Sequence, residues 1–367
     1  MLDTTRVTEL MTAALLREMD EEVDLIIRFG SHVRGNTHAY SDLDLAFVPR
    51  DGAPPYAITV MVEETLVDLF PMRWEWLGRM ATFDAIQCTV LDRSEILYQR
   101  EEAAAQRYRA LVAEMRARLL PEARPEMVAK ALDLFQGTGY PYYLLTEAAA
   151  AGHVAACFYH TRRILDTTLH SLGVVNQVCL DTRKQAEVLA LPRLPNDFAA
   201  TLDAVTTAVT PESLVAATDR LLRTTRSLLL QAQAEALRRE TSYPAVLDGA
   251  YPELKGDLQH VLLAAEREEW FDLKLAYFTH ELLIHMATAE TGVPFSAFNG
   301  LMDYDRDLAA RGFPDLTAAV VAGDFAALRR DVPLFDARLG EYLQARGVAL
   351  NTFDTVDALE AYLRDDS

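Results

Sequence analysis

Cysteine is scarce in this 367-residue chain, and the shortage excludes two classes of protein at once. Cys88, Cys157 and Cys179 are odd in number and far apart, which points neither to a disulfide framework nor to a thiolate metal site. Long hydrophobic runs are missing as well. No apolar stretch reaches the roughly 20 residues that a membrane-spanning helix needs. The start, Met1-Leu2-Asp3-Thr4-Thr5, lacks a basic region followed by an apolar one. The expectation is a soluble, cytoplasmic protein without a membrane partner. Basic residues are also short: 35 Lys and Arg stand against 55 Asp and Glu, a net charge of −20. Proteins that grip polynucleotides draw most of their affinity from cations that neutralise phosphates, so a nucleic-acid partner is not expected. An acidic field favours a cationic small molecule instead, and it serves solubility equally well.

What is present is globular: half of the residues are hydrophobic and a quarter charged. The length suggests two or three domains. Apolar positions at helical spacing run from residue 5 to 19. Val23 to Phe29 and Leu43 to Val48 read as strands, with turn chemistry at Arg50-Asp51-Gly52-Ala53-Pro54-Pro55. Two β-rich runs follow, Ala57 to Glu63 and Thr65 to Phe70, and then a helical stretch from Trp74 to Met80. From about residue 95 the character changes to helices: Glu101 to Leu119, Glu126 to Phe135, Tyr143 to Ala151, Val154 to Ser171 and Pro211 to Arg239. Thr241-Ser242-Tyr243-Pro244 marks a boundary, and the remainder is again mostly helical. The expected fold is α+β: a small mixed-sheet domain over 1–100, a helical domain over 101–240 and a second helical domain over 241–367.

An offset of 119 residues places Phe158-Tyr159 on Tyr277-Phe278, Ile164-Leu165 on Leu283-Ile284, Gly173-Val174 on Gly292-Val293 and Pro195 on Pro314. This suggests a duplicated helical unit. The last third would then pack against the first copy or form part of a homodimer interface.

One segment carries chemistry. Gly30-Ser31-His32-Val33-Arg34-Gly35 follows the apolar run that ends at Phe29, and Ser41-Asp42-Leu43-Asp44-Leu45 follows ten residues after Ser31. In a strand, residues i and i+2 share a face, so a strand from Asp42 to Val48 aims Asp42 and Asp44 together. Two adjacent carboxylates repel, and a bound Mg²⁺ removes the conflict while binding substrate phosphates. A strand turning at Gly30-Ser31 into a short helix offers backbone N–H groups and the Ser31 hydroxyl to terminal phosphates. Arg34 adds a planar cationic donor. A plain surface turn and half-buried strand is the alternative.

The pattern Gly30-Ser31-x-x-Arg34 with Tyr40-Ser41-Asp42-x-Asp44 resembles the nucleotidyltransferase superfamily that includes DNA polymerase β. Within it, the chain looks most like kanamycin nucleotidyltransferase and related aminoglycoside nucleotidyltransferases. The likeness continues weakly through Leu91-Asp92 and Leu194-Pro195-Asn196-Asp197-Phe198, and so spans about the first two thirds of the chain. It implies ATP or another nucleoside triphosphate as donor and a hydroxyl of a small, cationic acceptor, as in antibiotic resistance. AMP is the expected group transferred. The resemblance also implies nucleotide contacts from Gly30, Ser31, Arg34 and Ser41. An acceptor protein or RNA, as in toxin–antitoxin pairs, and a non-catalytic nucleotide-binding scaffold are the competing readings.

Nucleotidyl-transfer sites commonly use two metal ions about 3.5–4 Å apart, and two carboxylates rarely suffice. Asp68, an acid within Leu66-Val67-Asp68-Leu69-Phe70, is costly there unless paired or metal-bound. It matches the place of the family's third carboxylate. Asp42, Asp44 and Asp68 are therefore the expected catalytic and metal-ligating set, with Glu63 and Glu64 as fallback. The family's helical-domain base, a glutamate near a lysine, aligns here with Gln136 and Tyr140, which departs from the pattern and leaves Glu147 as a substitute. Lys184 is a candidate for the triphosphate or the leaving pyrophosphate, against a solvated surface lysine. Three features carry no weight. His280 and His285 differ by about 140° round a helix and cannot act as i, i+4 ligands. Gly137-Thr138-Gly139 reads as a helix-ending loop. Tyr140, Tyr142 and Tyr143 read equally as packing or as acceptor-pocket wall.

Overall fold

The computed structural model of the chain describes residues 2–35, 41–50, 52, 56–276, 279–293 and 308–365, without the side chains of Arg34, Thr279, His280, Glu281 and Asp365. Tyr40, the turn residues Asp51 and Ala53 to Pro55, and the Tyr277-Phe278 pair lie outside the described residues, as do the side chains of Arg34 and His280. The fold is α+β. Two compact units divide between Ala232 and Gln233. The first thus holds both the expected sheet domain and most of the expected helical domain, whose separate boundaries were 1–100 and 101–240.

In the first unit, helix α1 (Thr4–Met19) begins at Asp3, whose side chain accepts from the Arg6 amide. Its buried residues Met11, Leu15 and Met19 recur every four positions and so form one stripe. Strands β1 (Val23–Phe29), β2 (Leu43–Pro49), β3 (Ile58–Val62), β4 (Thr65–Pro71) and β5 (Glu95–Gln99) form a five-stranded sheet in the order β3-β4-β2-β1-β5 among the described residues. The β2·β4 pair is parallel, and β1·β2, β1·β5 and β3·β4 are antiparallel. The α1 stripe packs on Val23, Ile26, Leu43, Leu45, Phe47, Val67 and Leu69. The alternation in β1 and β2 sends Leu25, Ile27, Ala46 and Val48 to the opposite face, where they too are fully buried.

Two sequence expectations need correction. β5 falls where only a change to helical character was expected. Its five residues are half-buried at the sheet edge and carry no strong alternation. The second strand starts at Leu43, so Asp42 precedes the strand it was expected to open.

Helix α2 (Ser31–Arg34) links the first two strands, and α3 (Trp74–Ala81) and α4 (Thr89–Asp92) follow the fourth. Helices α5 (Glu102–Arg118), α6 (Arg124–Gln136), α7 (Gly139–Ala150), α8 (Val154–Val175), α9 (Gln185–Leu189), α10 (Phe198–Thr207) and α11 (Pro211–Leu237) continue the chain. A small core of Leu145, Ala148, Cys157, Ile164 and Leu214 joins α7, α8 and the start of α11. Side chains of the helical part anchor the loop after α3. Lys130 Nζ donates to Asp84 Oδ1 at 2.6 Å, and buried His170 Nε2 lies 3.1 Å from the Phe83 carbonyl. All three cysteines are free and buried.

The second unit comprises α12 (Tyr243–Leu247), α13 (Tyr251–Arg267), α14 (Trp270–Ala276), α15 (Thr279–Thr291), α16 (Leu316–Ala322), α17 (Phe325–Gln344) and α18 (Val356–Asp365). Its core runs along α13 and α17 through Leu254, Leu258, Val261, Leu328, Val332, Phe335 and Leu339. The two glycines matched by the 119-residue offset do different work. Gly173 lies inside α8, where a Cβ would sit 2.9 Å from Leu180 Cβ. Gly292 follows α15 with φ +72, where a Cβ would sit 1.9 Å from the Arg239 carbonyl oxygen.

Candidate functional site

The carboxylates expected from sequence are placed by sheet register. β2 and β4 run parallel with Asp44 opposite Asp68, and β1 places Phe29 opposite Asp44. Asp44 and Asp68 therefore occupy one register position on neighbouring strands and share a face of the sheet. On the other side of β4, Thr59 is the register partner of Asp68, and its hydroxyl donates to Asp68 Oδ1 at 2.7 Å. Fixing one oxygen this way orients the whole carboxyl group. Nothing in the sequence singled out Thr59, because its contact comes from the β3·β4 pairing.

The Gly-Ser turn arrives at the same place. Gly30 has φ +83 and ψ −155, a region open essentially to glycine alone. A Cβ there would lie 2.2 Å from Asp44 Oδ2. The absence of a side chain thus lets the turn sit directly against the Asp44 carboxylate. Ser31 begins α2 immediately afterwards, and its buried hydroxyl has no hydrogen-bond partner among the described residues. Gly35 closes this helical turn in the left-handed conformation. Ser41 is buried and Asp42 half-buried just ahead of β2.

His32, which the sequence reading left without a role, stands between opposite charges. Burial lowers its pKa most, Arg28 lowers it further and Asp42 acts against both. The imidazole is therefore neutral at neutral pH, and its buried Nε2 has no hydrogen-bond partner among the described residues. Arg28 itself pairs with Glu95 at 2.5 Å. β5, missed in the sequence, supplies that acid.

Among the described residues, no group of three or more His, Cys, Asp or Glu side chains stands close enough to hold a metal ion. The structure pairs Asp44 with Asp68 and sets Asp42 toward His32. Magnesium is commonly held by one or two carboxylates, with substrate phosphates and water completing its shell. The Asp44–Asp68 pair and the orphaned Ser31 hydroxyl match that donor chemistry.

The remaining expected residues lie elsewhere. Glu63 and Glu64 form the two-residue β3–β4 turn and are exposed. Lys184 is engaged locally with Asp181 at 3.9 Å and Glu187 at 3.6 Å. Gln136 and Glu147 are exposed, at the end of α6 and along α7. Exposed Tyr140 and Tyr143 stack with centroids 6.5 Å apart, while Tyr142 donates to Asp219 at 3.3 Å. Gly137 ends α6 and Gly139 opens α7, as the helix-ending loop expected there.

No family model and no curated protein matches the chain. Among solved structures it is similar to a nucleotidyltransferase-like protein from Exiguobacterium sibiricum 255-15, at 15% identity and a TM-score of 0.32. That likeness covers 71% of this chain and 91% of the other. No helix of the described residues is long and apolar enough to cross a membrane.

Proposed function

We propose that the chain is a Mg²⁺-dependent nucleotidyltransferase that moves a nucleoside monophosphate, AMP from ATP, to a hydroxyl of a small molecule. The observation that carries this reading is the convergence of Gly30 on the Asp44 carboxylate, itself in register with Asp68. A sharp turn that leads into a helix start, beside two carboxylates, suits a triphosphate and its cation.

Asp44 and Asp68 would hold the metal, with Asp42 entering the set once phosphates are present. The bound ion would neutralise charge on the phosphates and the leaving pyrophosphate. Gly30 N–H, Ser31 and Arg34 would hold the β- and γ-phosphates, with Ser41 behind Asp42. In the transfer, the acceptor oxygen bonds to the α-phosphorus and the bond from that phosphorus to the pyrophosphate oxygen breaks. The hydroxyl proton leaves to a carboxylate, for which Asp68, oriented by Thr59, is well placed. An aminoglycoside-type polycation suits the net charge of −20 as acceptor.

The test is pyrophosphate release with each nucleoside triphosphate against a panel of aminoglycosides and other polyols. Asp44→Asn and Asp68→Asn should fold and lose turnover by at least about a hundredfold. Folded variants that keep full metal-dependent release would overturn the assignment.

A further inference from the structure

Strand β4 continues past Asp68 into a hollow of about 360 Å³ lined by Phe70, Pro71, Met72, Arg73, Glu75 and Trp76. Phe70 is two residues beyond Asp68, so it shares that carboxylate's face of the sheet at about 7 Å along the strand. Phe29, the residue before the Gly-Ser turn, meets Phe70 edge-on with centroids 6.0 Å apart. One aromatic pair therefore connects the turn, the carboxylates and the hollow.

The two tryptophans of α3 are used differently. Trp74 is 7% exposed, donates from Nε1 to Asp24 Oδ2 at 2.9 Å and carries the Arg107 guanidinium 4.3 Å from its ring centroid. That ring is fully employed in packing. Trp76 is 37% exposed and lines the hollow, with the Arg79 guanidinium 4.9 Å from its centroid. A cation on the ring restrains its orientation and leaves a large apolar surface in water. Such a restrained, half-exposed ring in a concavity is a stacking platform, because every nucleobase offers a π-face.

We propose that this hollow receives the nucleobase of the donor nucleoside triphosphate, stacked on Trp76 while its phosphates reach Asp44 and Asp68. A ribose bridges the strand distance between them. The inference rests on the nucleotidyl-transfer reading of the carboxylate site and adds to it the recognition of the base.

The experiment compares ATP with inorganic tripolyphosphate, which has the phosphates and no base, by calorimetry in Mg²⁺. It uses the full chain as wild type, Trp76→Ala and Trp76→Phe. Trp76→Ala should weaken ATP about ten- to a hundredfold and leave tripolyphosphate within about twofold, and Trp76→Phe should restore most of the loss. Equal weakening of both ligands, or no change in either, would overturn the base site while the carboxylate reading stands. Wild type that binds neither ligand would remove the parent reading and this one together. Should Trp76→Ala fail to fold, competition of adenosine with ATP on wild type decides: competition supports the base site, and its absence overturns it.

Discussion

Gly30 and the carboxylate of Asp44 are in such close contact that a Cβ on Gly30 would lie 2.2 Å from Oδ2. Gly30→Ala would strain the backbone by about 1–3 kcal/mol at this φ and ψ. It would also displace the carboxylate from the turn. The expected outcome is a lower melting temperature and at least a tenfold loss of pyrophosphate release. Circular dichroism and turnover, measured on the same preparation, check both.

Thr59 holds Asp68 from the edge strand at 2.7 Å. Thr59→Val keeps the β-branched shape and removes the donor. The loss of about 1 kcal/mol corresponds to roughly fivefold in kcat. The half-saturating Mg²⁺ concentration should rise, and the melting temperature should stay nearly constant. An unchanged Mg²⁺ titration would show that the hydroxyl does not act through Asp68.

Glu63 and Glu64 have φ of 48° and 64°, the signature of a type I′ hairpin turn that favours Asn-Gly. Replacing both with Asn-Gly should stabilise the protein by about 1–2 kcal/mol. Activity should not change, since both acids stand at the tip of the hairpin. A loss of metal-dependent turnover without unfolding would return them to the ligand set.

Burial pushes the Asp84 carboxyl upward, but hydrogen bonds from Lys130 and Thr82 outweigh it and hold the pKa below the ordinary range. A depressed pKa means that the contribution is complete above the unfolded value near 4 and is lost as pH falls through the folded one. Lys130→Met should therefore lower the melting temperature at pH 7 by about 2–4 °C. The gap should close in acid below pH 4, where wild type has lost the same interaction. A gap that persists unchanged at pH 3 would argue that Lys130 acts through packing alone.

Much of the architecture was legible because it depends on local periodicity. The strands at Val23–Phe29, Leu43–Pro49 and Thr65–Pro71 appear where apolar runs are bounded by turn residues. Helices α1, α5, α6 and α8 appear where apolar positions recur at helical spacing. β5 escaped because Glu95-Ile96-Leu97-Tyr98-Gln99 is short and directly precedes a long Ala- and Glu-rich helix. Its strand conformation comes from pairing with β1, including a register shift between Ile26 and Ile27.

The residue types of the candidate site belong to the sequence alone: a Gly-Ser turn, two aspartates separated by one residue and an isolated Asp68 within an apolar run. Their meeting belongs to tertiary structure. Parallel pairing of β2 with β4 sets Asp68 opposite Asp44, and no local pattern dictates a parallel register. The same pairing leaves Asp42 outside the strand and near His32, and it brings Thr59 onto Asp68. Side-chain chemistry is a property of each residue, whereas the distances that make it a site arise only when strands remote in the chain share a sheet.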